Sequence, residues 1–270
     1  MPVRQVQPET GWPESWKTSY AFDLLEVYGP RSANLGYAYA YESRRRHTLA
    51  LLSDGVPAGA RVLDVAAAQG NFSLPLAELG YRVTWNDLRE ELAGYVRLKH
   101  DHGEVSFAPG NAFELHFEAP FDAVLITEVI EHVAHPDEFL RSAAALVKPG
   151  GAIVLTTPNG AYFKNPLPRF SDCPDPSVFE SVQFKPDSDG HIFLLYEDEI
   201  RRFAREAGLV VEDLRYFTTP LTNGHLKTAR LLALMPKSWV FALERIAQWL
   251  PSFVGRKVLL QLGVRLRKVN

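Results

Sequence analysis

Between residues 61 and 217, short apolar runs alternate with stretches of helical spacing. Val62–Ala66, Arg82–Asn86, Val105–Ala108, Phe121–Thr127, Ala152–Thr157 and Leu209–Phe217 are of strand length. Phe72–Leu79, Glu90–Lys99, Pro136–Val147 and Glu197–Ala207 are helical; Lys148-Pro149-Gly150-Gly151 stops the third of these and Gly208 the fourth. Apolar strands separated by helices predict an α/β fold whose mostly parallel sheet is covered on both faces. Upstream, residues 34–53 repeat Tyr37, Tyr41, Leu49 and Leu52 at helix spacing, and Asp54-Gly55-Val56-Pro57 ends that helix. Residues 1–30, rich in Pro, Trp and Tyr, are expected as an irregular arm. Residues 158–190 hold six prolines without periodicity, the mark of a lid or binding loop. Residues 226–249 are helical and strongly apolar. Val258–Val269 alternates Leu260, Leu262, Val264 and Leu266 on one face and is expected as a last strand.

The strand tips carry polar residues. In an open α/β sheet, ligands bind outside the carboxyl ends of the strands. Asp64 ends the first strand and is followed by a small-residue turn, Ala66-Ala67-Ala68-Gln69-Gly70, before Phe72. A carboxylate there repels a pyrophosphate and welcomes a cation with hydroxyl or amine donors. The sulfonium of S-adenosylmethionine (SAM), with its amino group and ribose, is such a ligand. Asn86-Asp87 ends the second strand about 20 residues on, where an acid accepts from both ribose hydroxyls. Asn111-Ala112 follows the third strand, where a side-chain amide can read an adenine edge, and Thr127-Glu128 ends the fourth. Each also has a purely local use: Asp64 or Asp87 as a helix cap, Asn111 as a turn residue.

Composition narrows the class. The net charge of −3 over 270 residues offers no broad basic surface, so nucleic acid is an unfavoured partner. The last fifteen residues carry Arg256, Lys257, Arg265, Arg267 and Lys268 and no acid. The lone Cys173 excludes an internal disulfide and a cysteine-cluster metal site, and fits a reducing cytoplasm. There is no signal-peptide pattern at Met1–Gln5 and no apolar run of spanning length.

Taken in order and spacing, several segments resemble the class I SAM-dependent methyltransferases over about residues 61–217. They are Val62-Leu63-Asp64-Val65-Ala66, Trp85-Asn86-Asp87-Leu88, Gly110-Asn111-Ala112-Phe113, Phe121-Asp122-Ala123-Val124, Glu128-Val129-Ile130-Glu131-His132-Val133, Leu146-Val147-Lys148-Pro149-Gly150-Gly151 and Thr156-Thr157-Pro158-Asn159. The resemblance implies a Rossmann-like sheet of seven strands with the last antiparallel. It implies cofactor contacts from Asp64, Ala66, Gly70, Phe72, Asp87, Leu88, Asn111, Ala112 and Glu128. The organisation expected is an N-terminal arm and helix (1–54), a SAM-binding core (55–217) containing the Pro-rich loop, a helical insertion (218–257), and a last strand with tail (258–270). One departure stands out: Ala66 and Ala68 occupy positions where the family usually has glycine, while Gly70 is kept.

Methyl transfer needs an acceptor held in line with the sulfonium, and a hydroxyl acceptor must lose its proton. Candidates cluster at Glu131, His132 and His135, with His191 at the end of the Pro-rich loop. Two readings stand. In one, Glu128, Glu131, His132 and His191 hold Mg2+ or another divalent metal. This resembles the metal-dependent branch that includes small-RNA 3′-terminal 2′-O-methyltransferases, ubiquinone-pathway O-methyltransferases and some sugar O-methyltransferases. In the other, His132 is structural or pocket-lining, and His135 or His191 is a metal-free base. On the N-terminal helix, Tyr37 and Tyr41 are expected to pack while Arg44, Arg45 and Arg46 reach solvent along a polar face; the alternative is that this helix closes over the cofactor and supplies a Tyr. The expected activity is O-methylation of a small polyhydroxyl or phenolic acceptor, with sugars or glycans favoured. An RNA ribose methyltransferase, a non-catalytic scaffold and a dehydrogenase are the alternatives. The 218–257 insertion is a lid, a homodimer interface, a peripheral membrane contact or simply a buried helix.

Overall fold

The computed structural model describes residues 3–28, 35–183, 190–222 and 228–269. In chain order the elements are α1 (Glu14–Glu26), α2 (Leu35–Ser53), β1 (Arg61–Val65), α3 (Ser73–Glu78), β2 (Arg82–Trp85), α4 (Leu92–Lys99), β3 (Glu104–Phe107), β4 (Phe121–Thr127), α5 (Pro136–Ala145), β5 (Val147–Pro158), α6 (Glu197–Glu206), β6 (Leu209–Phe217), α7 (Ala229–Leu234), α8 (Lys237–Ala247), α9 (Ser252–Val258) and β7 (Gln261–Lys268). The strands form one sheet in the order β3-β2-β1-β4-β5-β7-β6. β7 is antiparallel to both its neighbours, and the other pairs are parallel. The expected seven-stranded, mostly parallel sheet with an antiparallel last strand is therefore present.

The apolar runs are continuous because both faces of the sheet are covered. Successive strand residues point to opposite sides. Val62, Leu125 and Val154 pack with Leu51 and Leu52 of α2 and Leu76 of α3. Their neighbours Leu63, Val124 and Ile153 pack with Leu140 of α5 and Phe203 of α6. Strand order reverses at β1, whose two neighbours are β2 and β4, so a crevice opens at the carboxyl ends of these strands.

Three expectations change. The arm is not wholly irregular, since it contains α1. Trp12, Trp16 and Tyr20 recur every four residues and meet Tyr95 of α4, with Trp12 edge-on to the other three at 5.7–5.9 Å. That period was masked by the surrounding charged residues and prolines. The stretch expected as one helix over 226–249 is broken: Pro236 and Pro251 stand directly before α8 and α9, since a proline N-cap has no N–H to continue the preceding helix. Residues 226–227 lie outside the described part. The last strand starts at Gln261, because Val258 closes α9. Among the described residues no helix is long and apolar enough to cross a membrane.

Candidate functional site

At its carboxyl tip, β1 delivers Asp64 to the sheet edge with 1 % exposure. Its Oδ2 accepts from the Ser73 hydroxyl at 2.6 Å, while Oδ1 is buried with no hydrogen-bond partner. Burial pushes this carboxyl up to about 7, against the pull of Ser73 and with the help of the Asp87 charge. An orphaned carboxylate oxygen in a dry site is costly, and a cation or donor placed against it relieves the cost.

The turn after β1 takes the shape of a glycine turn although alanines build it. Ala66 has φ 53° and Ala68 φ 45°. Left-handed backbone costs an alanine about 1 kcal/mol or more. The neighbours hold it there. Ala67 N–H donates to the Asn86 carbonyl at 2.7 Å, Ala68 N–H to Asp87 Oδ2 at 2.9 Å, and Trp85 Nε1 to the Ala68 carbonyl at 3.0 Å. Gly70 is required twice over: it has φ 69°, and a Cβ would meet Val96 Cγ1 at 2.7 Å.

Asp87 does not cap a helix. Its carboxylate is shared between the turn and Arg89, whose backbone N–H and Nε reach Oδ1 at 2.9 and 3.0 Å. Asn111 makes a local turn, with Oδ1 accepting from Phe113 N–H and Nδ2 donating to Glu114. Ala66, Leu88, Asn111 and Ala112 nevertheless line one cavity of about 370 Å³, together with Val65, Asn86 and Phe113. Phe72 stands apart from that lining; it is buried under the turn against Tyr41, ring centroids 6.1 Å apart.

The arm locks this end from behind. Lys99 and Asp23 are fully buried and paired at 2.6 Å. Lys99 Nζ also donates to the Gln69 carbonyl and to Asn71 Oδ1; Asn71 Nδ2 and the Tyr95 hydroxyl donate to Asp23. The Tyr41 hydroxyl donates to the Asn71 carbonyl at 3.2 Å, so α2 does touch the turn through a tyrosine. Three helices thus fasten the loop that carries Ala66–Gly70.

At the neighbouring tip, β4 ends at Thr127 and is followed by Glu128, which has φ 54°. Glu128 Oε2 accepts from Arg44 at 3.0 Å and from Gln261 of β7 at 3.2 Å. Arg44 therefore does not reach for solvent. It is a mostly buried partner of Glu128 and Glu26, and these acids hold its proton more firmly although burial opposes the charge. Arg46 instead lies over the Phe241 ring.

Glu131 is fully buried. Its Oε2 accepts from the Thr157 hydroxyl at 3.0 Å, and Oε1 is buried without a hydrogen-bond partner. Burial, with the nearby Glu128 charge, raises this carboxyl well above the usual carboxylate range. The Glu131 carbonyl accepts Ile192 N–H at 2.7 Å, which draws the end of the Pro-rich loop in. The His132 and His191 rings consequently meet at 4.9 Å. Glu131, His132 and His191 each offer a ligand atom within 4.8 Å of the others. Glu128, expected as a fourth ligand, stands outside this group; its Oε2 is engaged by Arg44 and Gln261, and its Oε1 is buried with no hydrogen-bond partner. His135 is also separate. It lines the 370 Å³ cavity and pairs with Glu180 at 2.9 Å.

Residues 37–214 match a family model described as a methyltransferase domain, well over half the chain. The chain belongs to the methyltransferase-domain family. Its fold is that of the class I SAM-dependent enzymes. Ubiquinone biosynthesis O-methyltransferase of Caulobacter sp. is 40 % identical over 108 residues, covering 37 % of this chain and 42 % of that relative. The enzyme of the same name from Xanthomonas axonopodis pv. citri is 42 % identical over 107 residues, covering 38 % and 45 %. The chain thus spans less than half the length of the curated relatives it matches. Among solved structures, magnesium protoporphyrin IX methyltransferase of Synechocystis PCC 6803, with bound SAH, shares 15 % identity at a TM-score of 0.55, covering 94 % of this chain and 93 % of that one. The [4+2]-cyclase SpnF shares 17 % identity at a TM-score of 0.57, covering 95 % and 97 %. A cyclase among the neighbours means that the sheet alone does not select the reaction.

Several contacts that hold these residues are not legible in the sequence. Asn86 holds the third strand tip by donating to the Ala108 and Gly110 carbonyls at 2.6 and 2.9 Å. Ser73, Thr157, Arg44 and Gln261 each position an acid. Ser73 sits nine residues after Asp64, and that spacing was readable. The others come from distant chain positions and carried no local signal.

Proposed function

We propose that this methyltransferase-family chain transfers a methyl group from SAM to a hydroxyl of a small phenolic or polyhydroxyl acceptor. The observation that carries the reading is Asp64: a buried strand-tip carboxylate with one unpartnered oxygen, beside a left-handed turn and a cavity at the switch point. A sulfonium cofactor with amine and hydroxyl donors satisfies that oxygen. Arg89 would turn outward from Asp87 to admit a ribose diol, and Asn111 and Leu88 would flank the base. When bound, the cofactor would supply an electrophilic methyl group to an acceptor oxygen held in line with it, the thioether sulfur being the leaving group that keeps the carbon–sulfur electron pair, and the hydroxyl proton would pass to a nearby base. Glu131, His132 and His191 are the groups we assign to that proton; His135 belongs to the cofactor-side wall. The O-methyltransferase names of the relatives support a hydroxyl acceptor, and their ubiquinone pathway favours a phenolic one over a sugar.

The same three residues fit a divalent cation: two imidazoles and one carboxylate oxygen within reach of one another. Such an ion would polarise and acidify the acceptor hydroxyl. Calorimetric titration with SAM tests the core of the reading, and no binding to the wild-type chain would end it. Methyl transfer from labelled SAM to a panel of catechols, simple phenols and sugars then separates acceptor classes. Titration with Mg2+ and Mn2+, with and without His132→Ala, tests the cation by binding heat; full activity after exhaustive chelation would dispose of it.

A further inference from the structure

The segment from α7 to α9 turns an apolar face outward. Trp239, Leu243 and Ile246 share one face of α8, with Trp249 and Leu250 in the turn that follows it, and they are 66 %, 42 %, 55 %, 83 % and 38 % exposed. Leu234 on α7 and Phe253 on α9 extend the exposed set. The opposite side of α8 is fixed to the body. Val240 and Glu244 are buried. Glu244 accepts from Thr219 N–H and from the Thr219 and Thr222 hydroxyls. Gln248 meets His47 of α2 at 2.9 Å. The outward face is therefore a consequence of rigid seating, and it is far more apolar than a solvated helix face needs to be.

Its charge is one-sided. Residues 228–258 carry Arg230, Lys237, Arg245, Arg256 and Lys257 against a single acid, the buried Glu244, in a chain whose net charge is −3. Beside Phe253 a groove of about 550 Å³ is lined by Arg201, Arg256, Tyr216 and Ser252. In that groove Arg201 and Glu197 pair with each other and Glu212 pairs with Arg265 and Arg267, so Arg256 is the cation it presents. We infer that α7–α9 form an interfacial docking surface for an anionic lipid bilayer, with the aromatic and aliphatic side chains entering the headgroup boundary and the cations meeting lipid phosphates. Tryptophan suits this depth because it offers a large apolar ring and a polar N–H. The eleven-residue α8, about 16 Å long, lies along such a surface and is too short to span it. A second copy of the chain is the poorer occupant. A two-fold contact would set this patch against itself, cation against cation, without exposed acids within the segment to pair them. The docking face also belongs to the edge that carries the site. Asn159, at the carboxyl end of β5, donates to the Arg256 and Leu259 carbonyls, and Lys237 pairs with Glu42 of α2.

The test is sedimentation of the full chain with vesicles of phosphatidylcholine alone and with about one-quarter phosphatidylglycerol. Binding is expected on the anionic vesicles, weaker by more than about tenfold on neutral ones and falling with added salt. The Trp239→Ser/Trp249→Ser/Phe253→Ser variant should lose most of the binding while keeping its circular dichroism and SAM affinity. If that variant does not fold, quenching of wild-type tryptophan emission by brominated anionic lipid decides instead, and quenching is expected. Equal partition to both vesicle types, no binding, or no quenching would overturn the inference. So would light scattering that shows a dimer which the variant converts to monomer.

Discussion

Two neighbouring strand tips on the sheet's carboxyl edge, those of β1 and β4, solve one problem in opposite ways. Each holds a buried acid with one satisfied and one orphaned oxygen: Asp64 with Ser73, and Glu131 with Thr157. At the Asp64 end the surroundings are closed. Residues of α1, α2 and α4 clamp the turn through Asp23, Lys99, Asn71 and Tyr41. At the Glu131 end the neighbours come from long connections: His191 follows the Pro-rich loop, and Gln261 follows the α7–α9 insertion. The first tip is held by packed helices, and the second by segments that follow long connections, the parts of a fold that tolerate change.

The largest expected effect falls on the clamp. Lys99→Met leaves Asp23 buried without its cation and should cost about 3–5 kcal/mol in denaturant unfolding. Lys99→Met with Asp23→Asn should recover part of that loss. If the single variant unfolds like wild type, the closed end is not held by this pair.

Asp64→Asn comes next. It should weaken SAM by about 1.5–3 kcal/mol, roughly ten- to a hundredfold, by removing a charged contact. The pH dependence follows from the raised carboxyl. Between 3.8 and about 7 the folded, ligand-free protein holds a proton on Asp64 that the unfolded chain has released. Asp64 therefore lowers stability as pH rises through that window, with the full burial cost present above about 7. Cofactor affinity should move the other way, tightening as pH rises through about 7, because the cation binds the ionised form. Calorimetry across pH 5.5–8.5, a span of about three units around the titration, should give a slope in wild type and a flat line in Asp64→Asn. Two parallel slopes would show that another group governs binding.

Glu131→Gln sharpens the contrast at the open end. It should abolish heat of Mg2+ or Mn2+ binding and leave SAM affinity within about twofold, since Asp64 and Glu131 follow different strands and accept from different hydroxyls, Ser73 and Thr157. Equal loss of both would merge the two ends into one site. The smallest effect is expected in the turn. Ala66→Gly relieves about 1 kcal/mol of left-handed strain and forfeits about 0.5–1 kcal/mol through the freer unfolded chain. Thermal unfolding should therefore change little, while Ala66→Val should lower stability clearly.

The legible part of this molecule is the part written in consecutive residues. β1, β4 and β5 are visible as apolar runs because both faces of each strand are covered, and Asp64, Asp87, Asn111 and Glu128 are visible as polar breaks at or just after the ends of β1, β2, β3 and β4. The helix α1 was hidden because its Trp and Tyr spacing is diluted by charges, and the breaks before α8 and α9 were prolines that the apolar pattern overrode in the reading. Arg44 misled for a different reason. Nothing in Tyr41-Glu42-Ser43-Arg44 distinguishes an arginine bound for solvent from one that meets Glu128.

By itself, then, the sequence determined the sheet, the family and the acids at its edge, because hydrophobic period and strand-tip position are properties of neighbouring residues. Only the tertiary structure decided which of those acids share a site. It turned Glu128 toward Arg44 and Gln261, joined Glu131 and His132 to His191 across the Pro-rich loop, and set the aromatic face of α8 outward. Each of these depends on packing between residues dozens to hundreds of positions apart, where burial and charge pairing are settled by the whole fold.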